Sequence, residues 1–251
     1  MAFIQLHFFS EELGMQTEVE VIFPQKNSVG EIGIDNGSRC EEIKCLYLLH
    51  GLSDDQSIWM RRSSIERYAT EYGICVVMPF GGKSFYMNQS NGERYYSYIA
   101  KELPARMNEF FGIPDRRENK FIAGLSMGGY GALKIALREN DSFCAGAGLS
   151  SVADIRNPMF KSHIEGIVGQ GNYISEQEDL FYLIKEKASS SPLPRLYMWC
   201  GTEDFLYQDN VKLKEHIQSY NYDYTYKEGP GKHCWENWDE EIINVLRWLF
   251  G

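Results

Sequence analysis

Residues Phe121–Gly131 have the sequence FIAGLSMGGYG, in which an apolar run ends in Gly-x-Ser-x-Gly and a helix-like segment follows. This order is typical of a nucleophile elbow, a sharp strand-to-helix turn that lifts a serine hydroxyl above the sheet edge. Its strained backbone requires small neighbours, and Gly124 and Gly128 flank Ser126. The following helix N-terminus places the Met127 N–H beside a reacting carbonyl. The stretch predicts that Ser126 is a catalytic nucleophile, with an ordinary structural turn as the alternative.

Strand-like and helix-like segments alternate on both sides of this turn. Apolar runs and alternating apolar residues predict strands at Ala2–Phe9, Gln16–Phe23, Cys45–Leu49, Cys75–Met78, Lys120–Leu125, Phe143–Leu149, Arg195–Cys200 and Tyr222–Lys227. Helices are predicted after a Ser63–Glu66 capping box, at Tyr95–Phe111 with a break at Pro104, and at Tyr130–Arg138, Glu178–Lys187, Val211–Ser219 and Ile242–Leu249. Residues 154–173 show no clear period, and Asn36–Gly37 marks a loop. The alternation predicts an α/β fold in a single domain, 1–251, with a mostly parallel sheet and helices on both faces.

The composition of the chain argues against some classes of binding partner and favours one cellular compartment. The 251 residues are 43% hydrophobic and 24% charged, which is typical of a globular protein. The net charge of −10 argues against nucleic acid or an anionic membrane as a partner. No apolar run approaches the roughly 20 residues of a membrane helix, and Met1–Ser10 lacks the features of a signal peptide. We expect a cytoplasmic protein that acts as a monomer or a homo-oligomer.

The cysteines give no sign of a metal site. They stand at Cys40, Cys45, Cys75, Cys144, Cys200 and Cys234, without the close paired spacing that zinc requires. Cys75, Cys144 and Cys200 lie in apolar strand-like runs, where a free cysteine behaves as a small hydrophobe. We therefore expect reduced thiols, with no metal and no cofactor.

Candidate partners for Ser126 follow in the order that this architecture requires. A serine hydroxyl needs a base to remove its proton, and the base needs a carboxylate to orient it. In such folds the order is serine, acid, histidine, each after a strand. Asp204 follows the strand Arg195–Cys200, and His233 comes after a glycine-rich turn. The spacing favours Asp204 but leaves its neighbour Glu203 open.

The sequence also offers two weaker candidates for the acid and a loop that could donate to an oxyanion. Asp154 and Asp209 are weaker candidates for the acid, and each fits an ordinary loop or cap carboxylate. His50-Gly51-Leu52 directly follows a buried strand. Acyl transfer needs two N–H donors for its oxyanion, and hydrolases of this kind take one from a loop after an early strand. We expect these donors to be the N–H groups of Leu52 and Met127, with a plain strand exit as the alternative for the loop.

Three aromatic residues are candidates for the wall of a substrate pocket. Trp59, Phe85 and Tyr86 lie in loops that follow strand ends. Such loops meet at the edge of the sheet where Ser126 is expected, so the three rings are predicted to form a small apolar pocket. Ordinary loop packing is the alternative.

A family resemblance covers nearly the whole chain. The motifs that carry it are Tyr47–Leu52, Trp59, Val76–Pro79, Glu102–Pro104, Phe121–Gly131, Trp199–Gly201, Asp204–Tyr207 and His233. In combination they resemble the esterase D family, and within it most of all the bacterial tributyrin esterase group. The resemblance implies an α/β-hydrolase fold and carboxylesterase activity on short acyl chains, acetyl to butyryl.

The resemblance also implies roles for individual residues. It assigns the catalytic triad to Ser126, Asp204 and His233, and the oxyanion donors to Leu52 and Met127. It separates Asp204 from the adjacent Glu203, which the spacing leaves open. The expected partner is a small-molecule ester.

Other branches and other classes remain as alternatives. The family also holds S-formylglutathione hydrolases, acetylxylan esterases and feruloyl esterases. Tyr96–Ile99 with Glu102–Pro104 resembles the formylglutathione branch, whereas His233–Trp238 is nearer the tributyrin group. An acyltransferase, in which an alcohol replaces water, is a third possibility. A binding protein that kept the fold is disfavoured because binding alone does not require all three triad residues.

Overall fold

Eight strands form one sheet in the computed structural model, which describes residues 1–25, 42–171 and 173–251. The strands are β1 (Ala2–Ser10), β2 (Met15–Phe23), β3 (Cys45–Leu49), β4 (Cys75–Pro79), β5 (Lys120–Leu125), β6 (Ala145–Leu149), β7 (Arg195–Gly201) and β8 (Tyr224–Gly229). Their spatial order is β1-β2-β4-β3-β5-β6-β7-β8. β2 is antiparallel to both β1 and β4, and the remaining neighbours are parallel. The predicted mostly parallel sheet is confirmed.

Helices cover both faces of the sheet. One face carries α1 (Ile58–Arg62), α2 (Ile65–Tyr72) and α9 (Trp235–Phe250). The other carries α3 (Tyr95–Ser97), α4 (Leu103–Phe111), α5 (Met127–Arg138), α6 (Lys161–Val168), α7 (Leu180–Lys187) and α8 (Tyr207–Gln218). Consecutive β3 residues enter opposite cores, Tyr47 the core that contains α5 and Leu48 the core that contains α9, as expected for a strand buried on both sides. No helix within the described residues is both long enough and apolar enough to cross a membrane.

The register of the parallel strands brings their carboxyl ends to one edge of the sheet. Gly124 of β5 pairs with Leu49 of β3, and Leu149 of β6 pairs with Trp199 of β7. The loops that leave these strands therefore start close together. This edge is where the candidate nucleophile, acid, base and oxyanion loop converge.

The predicted helix Tyr95–Phe111 is continuous, and the expected restart at Pro104 takes the form of a π-helical turn. The segment begins as α3, passes through this turn over Tyr98–Glu102 and continues as α4, with Pro104 as its second residue. The Leu103 N–H donates to the Tyr98 carbonyl across the turn, and prolines and π-bulges are usual sites at which a helix bends.

Two features of the chain differ from the sequence-based predictions. The segment without a clear period contains α6, in which only Ile164 and Ile167 are buried, and so short a helix leaves little periodic signal. The predicted Ser63 cap is wrong, because α2 begins at Ile65 after Ser64 and has no side-chain cap. The Ser64 N–H instead donates to the Asp239 carboxylate in α9, at 3.0 Å. A tertiary contact thus replaces the local cap.

The cysteines match the expectation of free thiols wherever they are described. Cys75 and Cys200 are buried as predicted, while Cys144 lies just before β6 and is only half-buried. Cys40 and the predicted loop at Asn36–Gly37 lie outside the described residues.

The tight contact between α5 and β3 generates a stability prediction. A Cβ added to Gly128 would lie 2.5 Å from the Leu49 carbonyl oxygen and 2.6 Å from that of His50. Gly128→Ala should therefore lower the free energy of unfolding by about 1–3 kcal/mol, because backbone has to move. The measurement is urea unfolding followed by circular dichroism.

The matched control is Gly166→Ala in α6, where nothing lies within 4 Å of an added Cβ. This change should raise the free energy of unfolding by about 0.5–1 kcal/mol, because glycine is unfavourable inside a helix. Equal effects at the two positions would contradict the steric explanation.

Candidate active site

Ser126 lies on the sharp turn between β5 and α5. Its φ of 54° and ψ of −116° fall in a region that side chains rarely adopt. Its N–H donates to the Leu149 carbonyl at 2.8 Å, and its carbonyl accepts from the Val152 N–H at 3.1 Å. Strained backbone of this kind persists only where the surrounding structure fixes it, and β6 and the loop after it do so here. The predicted strand–turn–helix is confirmed.

The side chains of Ser126, His233 and Asp204 form an unbroken row of hydrogen bonds. His233 Nε2 lies 3.0 Å from Ser126 Oγ. His233 Nδ1 lies 2.9 Å and 3.1 Å from the two Asp204 carboxylate oxygens. An ionised carboxylate only accepts, so Nδ1 carries the proton and Nε2 is left to accept from the serine hydroxyl. The three residues taken from chain order are therefore brought together.

The surroundings of Asp204 keep it ionised. Burial raises the pKa of its carboxyl, but hydrogen bonds from His233, the Leu206 N–H and Ser150 outweigh burial and lower the pKa from its ordinary 3.8. Glu203 is exposed and contributes only its N–H, which donates to the Gly231 carbonyl at 2.9 Å. Of the two adjacent carboxylates, only Asp204 contacts the histidine.

The weaker acid candidates lie elsewhere. Asp154 Oδ1 accepts from the Arg156 N–H at 2.8 Å, which is a local loop contact. Asp209 accepts from Asn157 at 2.8 Å and pairs with Lys212 at 3.0 Å. Both therefore fit the loop and cap roles that were their alternatives.

Two aromatic rings hold the imidazole of His233. The Phe205 ring centroid is 4.5 Å away, and the Trp238 ring meets the imidazole edge-on at 4.8 Å. The Trp238 indole N–H donates to Ser150 Oγ at 3.1 Å, so Ser150 connects this ring to Asp204. Sequence reasoning missed these residues, although Phe205 adjoins Asp204 and Ser150 directly follows a strand.

A cavity of about 560 Å³ opens above Ser126. Its lining is Gly51, Leu52, Ser53, Asp54, Arg62, Phe85, Leu125, Ser126, Met127, Val152, Phe160, Phe205, His233, Cys234, Trp235, Glu236 and Trp238. Leu52 and Met127 thus lie beside the serine. Met127 is the first residue of α5, where an N–H has no partner within the helix and the helix dipole favours negative charge.

The predicted aromatic wall is corrected for two of its three residues. All three side chains are fully buried, and of the three only Phe85 belongs to the lining of this cavity. The Trp59 indole N–H donates to the Leu49 carbonyl at 3.1 Å, and the Tyr86 hydroxyl donates to the His50 carbonyl at 2.9 Å. Each ring packs in a core because its single polar atom finds a backbone partner there.

The wall of the cavity is built from other aromatic side chains. Phe160 precedes α6, and Trp235 begins the helix that follows His233. Phe85 packs against Phe160 with ring centroids 5.6 Å apart. Trp235 could have been predicted as a lining residue because it comes two residues after the candidate base. Phe160 could not, because it lies in the segment without a clear period.

A buried lysine supports the cavity wall from behind. Phe85 and Tyr86 both have positive φ, 48° and 51°. The Lys134 ammonium donates to the Tyr86 carbonyl at 2.9 Å and the Phe85 carbonyl at 3.3 Å, and it pairs with Glu178 at 2.5 Å. Burial lowers the pKa of Lys134 to about 8. These bonds stabilise the unusual backbone that directs Phe85 to the cavity.

No cluster of three histidine, cysteine or acidic side chains suited to a metal ion occurs in the part of the chain that the structure describes.

Comparison with known proteins places the chain in a family. The Esterase family, described as "Putative esterase", matches residues 10–249. An acetyl esterase from Caldicellulosiruptor saccharolyticus is 32% identical over 263 residues, covering 99% of this chain and 98% of the relative.

Two solved structures from Staphylococcus aureus are similar over the full chain. The fluorophosphonate-binding serine hydrolase FphF has a TM-score of 0.89 at 35% identity, covering 100% of this chain and 98% of its own. The S-formylglutathione hydrolase FrmB has a TM-score of 0.86 at 35% identity, covering 100% and 99%. The fold is that of an α/β-hydrolase, and the class is serine hydrolase. The chain belongs to the Esterase family and is a carboxylic ester hydrolase.

The adjacent carboxylates give a prediction about rate. Asp204→Asn should lower kcat by about 10⁴-fold, because an amide in place of the carboxylate permits the wrong histidine tautomer. The control Glu203→Gln should change kcat little, since an exposed charge contributes little. Steady-state hydrolysis of p-nitrophenyl acetate measures both. A crippling effect of Glu203→Gln would reverse the assignment of the acid.

The lowered pKa of Asp204 gives a prediction about acid stability. A carboxyl whose pKa is lower in the folded state stabilises the fold above its unfolded pKa, and this contribution disappears as pH falls through the folded pKa. The difference in unfolding free energy between wild type and Asp204→Asn should therefore shift against the wild type between about pH 5 and about pH 3. Urea titrations at several pH values measure it. A difference that stays constant or moves the other way would contradict the lowered pKa.

Proposed function

We propose that this protein is a serine carboxylesterase that hydrolyses short-chain acyl esters through an acyl-enzyme. The observation that supports this proposal is the hydrogen-bonded row Asp204–His233–Ser126 at the floor of the cavity. In the proposed roles, Ser126 is the nucleophile, His233 the general base and acid, and Asp204 the carboxylate that orients the histidine.

Acylation starts when a substrate carbonyl enters the cavity beside Ser126. His233 Nε2 takes the hydroxyl proton as Oγ attacks the carbonyl carbon, and the carbonyl oxygen becomes an oxyanion. The N–H groups of Leu52 and Met127 stabilise this negative charge, and the dipole of α5 adds to the effect. The intermediate collapses when His233 gives its proton to the leaving alcohol, which departs and leaves an ester on Ser126.

Deacylation repeats these steps with water. His233 takes a proton from water as the water oxygen attacks the acyl carbon, and the same two N–H groups bind the second oxyanion. The histidine then returns a proton to Ser126 Oγ as the acid leaves. Asp204 stays ionised throughout and stabilises the imidazolium that forms in each half-reaction.

The apolar part of the cavity favours short acyl chains. Phe85 and Phe160 pack against each other there, and Val152 lies nearby in the lining. Each methylene that enters such a pocket contributes about 0.8 kcal/mol until the pocket is full. Acetyl to butyryl esters are the proposed substrates on the strength of the resemblance to the tributyrin esterase group. The acetyl esterase relative is compatible with this choice.

The polar part of the lining favours one second candidate, hydrolysis of the thioester S-formylglutathione. Ser53, Asp54, Arg62 and Glu236 supply hydroxyl and charged groups to the same cavity. A glutathione leaving group carries two carboxylates and an ammonium group, which side chains of this kind bind. The similarity to FrmB supports this candidate as well.

Removal of the nucleophile tests the reaction class. Ser126→Ala should lower kcat by about 10⁴- to 10⁶-fold, because no other group can form the acyl intermediate. An organophosphate should label Ser126 in the wild type, and thermal unfolding should show that the variant remains folded. Activity that survives the substitution, together with labelling of another serine, would refute the proposed role.

An acyl-chain series tests the substrate class. For p-nitrophenyl esters of about two to twelve carbons, kcat/KM should rise about fourfold per methylene to propionyl or butyryl and fall by octanoyl. Phe160→Ala should move the optimum to longer chains, whereas Phe9→Ala, on exposed β1, should not. A wild-type rate that climbs through dodecanoyl would contradict the short-acyl assignment. Turnover confined to S-formylglutathione would select the second candidate.

A further inference from the structure

His50 is a buried histidine that the proposed mechanism does not use. It directly follows β3, and only 1% of it is exposed. Its ring lies between two loops at the catalytic edge of the sheet. Nδ1 is 2.7 Å from the Gly51 carbonyl oxygen, and Nε2 is 2.9 Å from the Gly81 backbone nitrogen.

These two partners determine where the proton of the His50 ring lies. A carbonyl oxygen can only accept, so Nδ1 must carry the hydrogen that it donates to Gly51. The Gly81 N–H can only donate, so Nε2 must present its lone pair. Burial also lowers the pKa of His50, which favours the neutral ring. The imidazole of His50 is thus a neutral Nδ1–H tautomer, like that of His233, but its Nε2 accepts from a backbone N–H rather than from a serine hydroxyl.

The acceptor of the His50 proton belongs to the same peptide unit as the Leu52 N–H. The Gly51–Leu52 bond is not among the cis peptide bonds of the described chain. In a trans peptide the C=O and the N–H point in opposite directions. A ring that holds the Gly51 carbonyl therefore also holds the Leu52 N–H, directed away from the ring.

The preceding peptide unit is held at both of its polar groups. The Tyr86 hydroxyl donates to the His50 carbonyl at 2.9 Å, and the Gly51 N–H donates to Asp54 Oδ2 at 3.3 Å. The Gly51 carbonyl accepts from the Asp54 N–H at 3.2 Å as well as from the His50 ring at 2.7 Å. Three of the four polar groups in these two peptide units therefore have partners among the described residues. The fourth group is the Leu52 N–H, the candidate oxyanion donor.

We propose that His50 is a positioning residue, whose Nδ1–H makes the shorter of the two hydrogen bonds to the Gly51 carbonyl and so orients the Gly51–Leu52 peptide with its Leu52 N–H available to the oxyanion. The proposal rests on the proposed esterase mechanism and assigns a role to a residue that never touches the substrate. Because the oxyanion exists only in the reaction, loss of this bond should lower kcat and leave substrate binding nearly unchanged.

A pair of substitutions separates the two hydrogen bonds of the ring. The side-chain amide of His50→Asn can place a donor near the Nδ1 position, whereas the longer His50→Gln can place an acceptor near the Nε2 position. With p-nitrophenyl acetate, His50→Gln should lower kcat by about 100- to 1000-fold with KM changed less than about threefold. His50→Asn should retain kcat within about tenfold of the wild type.

Two further measurements distinguish this role from a merely structural one. Thermal unfolding identifies variants that are folded, and only those are compared. Nitrogen NMR of the wild-type histidines should show His50 with the proton on Nδ1, independently of any activity. A proton on Nε2, or a folded His50→Gln with wild-type kcat, would overturn the proposal. Failure of the esterase mechanism itself would instead show as activity in Ser126→Ala.

Discussion

The close approach of α5 to the carboxyl end of β3 is the contact on which the catalytic edge depends. Gly128 leaves no room for a side chain against the Leu49 and His50 carbonyls, and a Cβ on Gly124 would lie 2.5 Å from the Gly128 backbone. This contact brings the helix N-terminus that follows Ser126 against the loop that contains Leu52. Two donors from distant parts of the sequence can therefore face one oxyanion.

A second contact brings the acid and the base together. The loops after β7 and β8 are joined by backbone bonds from Thr202 to Gly229 and from Glu203 to Gly231, each 2.9 Å long. Asp204 and His233 extend from these joined loops, and their side chains meet at 2.9 Å. The backbone bonds set the separation of the two loops, and catalysis depends on such fixed orientation of the reacting groups.

The sequence was most informative where chemistry constrains chain order. Ser126, Asp204 and His233 follow β5, β7 and β8, and a parallel sheet brings the carboxyl ends of its strands to one edge whatever the loops between them do. It was harder to predict which aromatic side chains line the cavity, because the burial of Trp59 and Tyr86 depends on backbone acceptors that only the folded chain supplies. The role proposed for His50 was equally hard to predict, since the tautomer of its ring depends on the Gly81 N–H, which comes from another loop. Helix α6 was not predicted, because its two buried residues are too few to show the periodic spacing of apolar residues that indicates a helix.

The central claim is that Ser126 carries the acyl group between the two half-reactions. The most direct measurement is rapid acid quench of the enzyme during turnover of p-nitrophenyl acetate, followed by mass spectrometry of the intact chain and its peptides. The account predicts one acetyl group per chain, on the peptide that contains Ser126, formed with the first burst of p-nitrophenol and lost when substrate is consumed. An acetyl group found instead on Cys234, which also lines the cavity, or a burst without any acylated chain, would contradict it.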